Sequence, residues 1–382
     1  MNPKYITNIS NVQMLSRPER QRLESVTEMY GFRANDYYLS LIDWCDPGDP
    51  IRRIIIPHED ELVPWGSLDA SNEKEYTVVP GLEHKYEHTV ILLISNVCGG
   101  CCRFCFRKRI FMTDGTDVSR DVSDGITYIE KHPEINNVLL SGGDPLLLST
   151  PQIESILKRL REIDHVRLIR FGSKMPAFNP YRILNDPTLL EVFDRYSRPD
   201  SKIYIMTHFN HPRELTEQSL LALHMLHKSG VELANQTPLI NGVNDNPEVL
   251  ADLFDTLSFA GVPPYYVFQC RPTQGNRHLS IPIEMTYTIH EQARMRCSGL
   301  GKRSRLTMSH STGKLQIAVM TDSTITFKYL RAANPLEKGM VYVVKRNPDA
   351  YWFDDYTDIV DRYAPNNPFL NISFDFDELE AV

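Results

Sequence analysis

Apolar residues gather in the middle of the chain into short dense runs at 90–95, 138–141, 168–172, 203–209, 232–239 and 265–270, each bounded by turn-forming residues. Between them the apolar spacing lengthens to three and four. Residues 150–162 read as a helix with Thr150 as N-cap and proline at its first position, and residues 214–228 place Leu220, Leu221, Leu223 and Leu226 on one apolar face. Strands alternating with helices form a parallel sheet, and strands this apolar are covered on both faces. Six such units in series predict an α/β fold, a partial (β/α)6 barrel occupying residues 79–300. Residues 1–78 form a helical and irregular N-terminal extension, and residues 301–382 a C-terminal segment that ends in the acidic run 375–380, expected to be solvated.

Composition narrows the classes of function. Of 382 residues, 42% are hydrophobic and 24% charged, as in an ordinary soluble protein with a sizeable core. The net charge of −8 and the lack of any long basic tract argue against nucleic acid as the main partner. No apolar run approaches the roughly 20 residues needed to cross a bilayer, and Met1-Asn-Pro-Lys4 opens no signal sequence. The expectation is a cytoplasmic protein in a reducing compartment, with no membrane partner.

Directly after the first apolar run, Cys98, Cys102 and Cys105 fall at the spacing C-x3-C-x2-C, with Cys101 beside them. Thiolates are soft ligands, and a four-iron cluster held by three of them leaves one iron open for chemistry. Two plainer readings compete. A closed zinc site wants four ligands, all of which this one tight loop would have to supply, and adjacent Cys101 and Cys102 point apart. A disulfide framework fits poorly with seven cysteines, an odd number, three of which are isolated at Cys45, Cys270 and Cys297.

Further polar motifs close the other strand-like runs: Ser141-Gly-Gly-Asp-Pro145, Arg170-Phe-Gly-Ser173, Thr207-His-Phe-Asn-His-Pro212, Ala234-Asn-Gln-Thr237 and Gln269-Cys-Arg-Pro272. In α/β barrels these C-terminal strand ends build the active site. Gly142 and Gly143 allow close approach of backbone to a ligand, although a tight turn is the default meaning of such a tetrapeptide. His208 and His211 suit a polar pocket wall, with a helix-initiating Asn210 or Pro212 as the plainer alternative. Lys314 ends the small polar loop Ser309-His-Ser-Thr-Gly-Lys314; a lysine so placed is either a Schiff-base amine or one more solvated surface group.

Together with Pro80-Gly-Leu-Glu-His-Lys-Tyr86, Phe106-Arg-Lys-Arg109, Ile169-Arg-Phe-Gly-Ser-Lys-Met-Pro176, Gly242-Val-Asn-Asp245 and Pro264-Tyr-Tyr-Val-Phe-Gln-Cys270, these motifs resemble the lysine 2,3-aminomutase family of radical S-adenosylmethionine (SAM) enzymes, in the same order from about residue 37 to 319. The resemblance implies a 4Fe-4S cluster on Cys98, Cys102 and Cys105, SAM on its open iron, and pyridoxal 5'-phosphate (PLP) on Lys314. It also implies cofactor contacts from Gly142, Gly143, Asp144, Ser173, His208 and Gln236, with Arg107 holding the substrate α-carboxylate. The reaction implied is migration of an amino group from C2 to C3 of an amino acid, with a flavodoxin- or ferredoxin-type electron donor and a homo-oligomeric enzyme. Where lysine aminomutases carry two aspartates, this chain has Arg271 and Thr307, which disfavours a substrate ammonium and favours an acidic or polar substrate, glutamate first. Two further departures bear on PLP: Ser-His-Ser-Thr replaces a glycine run before Gly313, and two family arginines appear as Lys85 and Thr89. A PLP-independent radical enzyme on the same scaffold is the alternative, and a non-catalytic metal-binding module a third reading.

Overall fold

The computed structural model describes residues 2–112, 118 and 121–365, so the acidic run at 375–380 lies outside the described residues. Six strand-helix units follow one another, as the apolar spacing predicts: β1 (Thr89–Ser95) with α1 (Ser123–Glu130), β2 (Asn137–Gly142) with α2 (Thr150–Arg161), β3 (Leu168–Ser173) with α3 (Pro187–Tyr196), β4 (Ile203–Thr207) with α4 (Glu217–Lys228), β5 (Glu232–Pro238) with α5 (Pro247–Phe259), and β6 (Pro264–Phe268) with α6 (Ile283–Arg296). Each strand pairs in parallel with the next. The parallel order does not stop there. A seventh strand, β7 (Arg305–His310), lies parallel to β6, and β8 (Gly313–Met320), β9 (Thr324–Ala332), β10 (Val341–Lys345) and β11 (Ile359–Tyr363) then run antiparallel. On the other flank, strands Thr77–Val79 and Leu82–Tyr86 add an antiparallel hairpin to β1. Among the described residues one sheet of thirteen strands therefore takes strands from both sides of position 300 and includes position 78.

Alternation along the strands sorts their side chains. Val90 and Leu92 of β1, Val138 and Leu140 of β2, Ile169 and Phe171 of β3, Ile203 and Ile205 of β4, and Val267 of β6 belong to the core beneath the helices. Their neighbours, among them Arg170, Tyr266 and Phe268, face the other way, into the concavity of the sheet. Its flanks curl until they touch across this concavity. Lys85 Nζ donates to the His310 carbonyl at 2.6 Å, Tyr76 Oη to that of Ser311 at 2.9 Å, and Arg331 Nη1 to Thr89 Oγ1 at 3.1 Å.

Two details of the helices differ from the sequence reading. Ser149, not Thr150, caps α2: its backbone N–H meets Gln152 Oε1 at 3.0 Å, while the Thr150 hydroxyl donates to Asp186 Oδ2 at 2.6 Å. In α4 the covered face is Ser219, Ala222, Leu223 and Leu226, and Leu221 is exposed, because one residue's offset turns a helical side chain by about 100°. A second core packs Tyr38, Ile51, Ile54 and Ile55 of the N-terminal extension against Phe104 and Phe178. Among the described residues no helix is long and apolar enough to cross a membrane.

Candidate active site

The cysteine loop leaves β1 and is held from three sides. Asn35 Nδ2 donates to the Gly99 carbonyl at 3.5 Å, and the backbone N–H groups of Cys101 and Arg103 reach the carbonyls of Arg33 and Ile54, each at 2.8 Å. Gly99 and Gly100 fit because a Cβ would press on Met175 Sδ at 2.7 Å and Ile55 Cδ1 at 2.8 Å. Below the loop, buried Glu61 receives Arg103 Nε at 2.8 Å and Nη2 at 2.7 Å, and Lys108 Nζ at 3.0 Å. Burial alone would raise the Glu61 carboxyl, but Arg103 and Lys108 outweigh it and hold it at about 2.

Cys98, Cys102 and Cys105 are free thiols, partly exposed. Burial is the main reason that all three sit above the ordinary thiol value, and each is raised further by at least one acidic or thiol neighbour. Among the described residues no three His, Cys, Asp or Glu side chains stand ready as a group around a metal ion. The loop offers sulfur donors alone, which suit an iron-sulfur cluster, and its raised thiols require a strong positive charge to become thiolates.

Beside the loop, the turn after β2 is latched to it. Gly143 N–H donates to the Ser95 carbonyl at 2.5 Å and Asp144 N–H to that of Val97 at 2.8 Å, an approach so close that a Cβ at either Gly142 or Gly143 would strike these carbonyls. These two donors are consumed within the protein. What the turn retains for a ligand is acceptors, which suit an amino group rather than an anion. Asp144 is buried and accepts from Ser173 Oγ at 2.8 Å, Lys174 N at 2.8 Å and Leu146 N at 3.0 Å; burial nevertheless raises it to about 6. Asp144 and Ser173 thus tie β2 to β3. His208 stacks on Phe104 with ring centres 5.8 Å apart, and burial together with Lys174 lowers it to about 3, so it is neutral. Lys174 is spent on Glu214 Oε1 at 2.5 Å and on Asn210 Oδ1 and the His208 carbonyl, each at 2.7 Å. His211 turns away to cap the short turn Pro212–Glu214, while Gln236 of β5 is half-buried.

Arg107 is buried in a cluster that local pattern does not reveal. Its Nε meets Glu73 Oε1 at 3.0 Å, its Nη2 the same oxygen at 2.8 Å, and its Nη1 donates to Ser141 Oγ at 3.0 Å. All three guanidinium nitrogens thus have a partner, Nε and Nη2 on Glu73 and Nη1 on Ser141, which fixes the plane of the group. A second carboxylate, Glu83, lies 3.8 Å from Nη2. The two acids titrate apart. Burial would raise both, but Arg107 and Arg109 hold Glu73 at about 2, whereas burial and the Glu73 charge push Glu83 to about 8.

Lys314 is not in a loop. Ser311 and Thr312 make a tight turn, and Gly313 and Lys314 already belong to β8, with Ser309 opposite Lys314. Its Nζ lies 4.2 Å from the Tyr266 ring centre and 4.9 Å from that of Phe268. Burial, then Arg170, Arg331, Arg271 and Lys85, push the amine well below its ordinary value. These neighbours touch neutral groups: Arg170 Nε meets Asn137 Oδ1 at 2.8 Å, Arg331 meets Thr89, Lys85 meets the His310 carbonyl, and Arg271 bonds Ser71 Oγ with its guanidinium 3.7 Å from the Phe106 ring centre. This basin is not confined to the C-terminal strand ends, where Arg271 follows β6. Arg170 is the third residue of β3 and Thr89 the first of β1, because the antiparallel strands that close the concavity reach inside it. Thr307 is buried, and its hydroxyl lies 3.5 Å from the Val267 carbonyl.

Sequence reasoning assigned no role to Glu61, Glu73, Glu83, Tyr266 and Arg331, whose partners are remote in the chain, although Glu83 and Tyr266 fall within the motifs at 80–86 and 264–270. Comparison with known proteins agrees with this geometry. The radical SAM superfamily profile matches residues 92–254. A protein of Aquifex aeolicus named "Putative L-lysine 2,3-aminomutase" is 55% identical over 94% of this chain and 96% of its own length. The L-lysine 2,3-aminomutase of Clostridium subterminale is 38% identical over 75% of this chain and 68% of its own, and the glutamate 2,3-aminomutase of Clostridioides difficile 34% identical over 77% and 69%. Likeness of this extent, with three cysteines presented after the first strand of a partial barrel, makes the chain a member of the lysine 2,3-aminomutase family of radical SAM isomerases, which work with a 4Fe-4S cluster and SAM.

Proposed function

We propose that the chain is a PLP-dependent 2,3-aminomutase acting on an amino acid with an acidic or polar side chain, glutamate first. The reading rests on the basin around Lys314, where four neighbouring cations have neutral hydrogen-bond partners. A phosphate monoester carrying an aldehyde answers both halves of it: the dianion neutralises the cations, and an amine kept uncharged by them attacks the carbonyl. SAM held at the cysteine loop's cluster would supply radical chemistry for hydrogen abstraction, and PLP held at Lys314 would supply an electron sink for amino-group migration.

The protein's own groups bind and orient. Cys98, Cys102 and Cys105 hold the cluster, and acceptors of the Gly142-Gly143 turn receive the amino group of SAM. Tyr266 forms a flat apolar floor beside Lys314, suited to an aromatic ring. Arg107, oriented by Glu73 and Ser141, presents its end fork to the substrate α-carboxylate. Arg271 selects against a side-chain ammonium, which would meet a like charge in a desolvated wall, and in favour of a carboxylate. The reducing electron comes from a flavodoxin- or ferredoxin-type donor.

Borohydride reduction of protein purified anaerobically with added PLP, followed by peptide mass mapping, tests this. A phosphopyridoxyl group on Lys314, and turnover of glutamate ahead of lysine in a panel of amino acids, is the expected result. An unmodified Lys314 in protein that still cleaves SAM would overturn amino migration in favour of a PLP-independent radical enzyme.

A further inference from the structure

Arg331 is brought into the basin by an irregularity of the backbone. Along the β8–β9 ladder, Leu315 pairs with Tyr329, yet Lys314 pairs with Arg331 and Gly313 with Ala332. A regular ladder would set Leu330 across from Lys314. The extra residue is a bulge, and since side chains alternate between faces, one residue's slip is what turns Arg331 to the face that Lys314 occupies. Gly313 permits the close approach, because a Cβ there would collide with the Arg331 carbonyl. From this position the Arg331 guanidinium reaches across the concavity to Thr89 Oγ1 at 3.1 Å, with its centre 5.5 Å from the Tyr86 ring centre. Its fork has no carboxylate among the described residues, and the Thr89 hydroxyl holds it beside the first residue of β1.

Resting on the PLP reading above, we propose that Arg331 is the positioning residue for the cofactor's phosphate, delivered from β9 to the place where β1 itself carries only the neutral Thr89. Arg331 and Lys314 then act on opposite ends of one small molecule. Lys314 forms the N–C bond to the aldehyde with loss of water, and Arg331 takes the phosphate in a bidentate grip. Arg331 is therefore what makes this site prefer the phosphorylated aldehyde.

The test compares PLP with pyridoxal, which keeps the aldehyde and lacks the phosphate. Each is titrated against anaerobic holoprotein by the visible absorbance of the lysine adduct, with borohydride trapping at Lys314 as confirmation. Arg331→Gln is expected to weaken PLP about 10- to 100-fold and to leave pyridoxal within about threefold. Thr89→Arg in the Arg331→Gln background, restoring a guanidinium from the other side, is expected to recover most of the preference. Arg331→Lys, which keeps charge without the fork, should fall between and shows whether the site folds when Arg331 is absent. An unchanged ratio of PLP to pyridoxal affinity in Arg331→Gln overturns the inference and leaves PLP dependence standing. Absence of any Lys314 adduct in the unaltered protein overturns the PLP reading and the inference with it.

Discussion

Two clusters of positive charge lie within this fold, and they are built on opposite principles. Around Glu61 and Glu73, each arginine or lysine is matched to a carboxylate: Arg103 and Lys108 to Glu61, Arg107 and Arg109 to Glu73. Around Lys314, the four neighbouring cations are satisfied by a hydroxyl, an amide or a carbonyl. In the first arrangement every cation has a carboxylate partner, and these ion pairs pin the cysteine loop to the N-terminal extension. The second keeps an excess of positive charge that a bound anion would relieve. A buried ion pair is weak evidence for stability, but breaking one leaves a costly lone charge; an unmatched basin already carries that cost and points to a ligand.

The comparison is broken most completely at its centre. Lys314→Ala is expected to abolish the borohydride-trapped adduct and all amino migration, with SAM cleavage as the control that the cluster is intact. Next in size, Glu61→Ala strands Arg103 and Lys108 in a buried site, a loss of about 3 to 5 kcal/mol in unfolding free energy. Denaturant titration of anaerobic protein checks this, and iron content should fall with it because the same residues steady the loop. Arg271→Asp moves one acidic charge into the unmatched cluster. It should lower kcat/KM for glutamate by on the order of 100-fold and raise that for lysine, measured side by side.

The smallest effect belongs to Glu83, the carboxyl left over in the matched cluster. Its native value of about 8 lies above the ordinary 4.5, so the native state holds the proton more tightly than the unfolded chain. That contribution is complete below about pH 4.5 and disappears as pH rises through 8. Between pH 5 and 8 the Tm of the unaltered protein should therefore fall more than that of Glu83→Gln, by about 2 to 5 °C in a scan of Tm against pH.

Much of the architecture was legible because it follows from short-range pattern. Dense apolar runs separated by helical spacing foretold six strand-helix units, and thiols at C-x3-C-x2-C foretold their own loop. Errors arose where one residue's offset decides a role. Ser149 rather than Thr150 caps α2, since the capping box with Gln152 forms only from that position. The bond between Ser173 and Asp144, which ties two strands together, was likewise not legible, because its partners are 29 positions apart.

By itself the sequence determined the periodic parts and the reactive groups: the apolar strands, the amphipathic helices, three neighbouring thiols, and a lysine beside a small-residue turn. Those features depend on neighbours within a few positions, over which backbone geometry is regular. Only the tertiary structure decided which charges meet. Arg331 reaches Thr89 across 242 positions and Arg103 finds Glu61 across 42, through the curl of the sheet and one bulge in its ladder. Electrostatic energy depends on distance in space and on exclusion of water, and neither is encoded in local spacing.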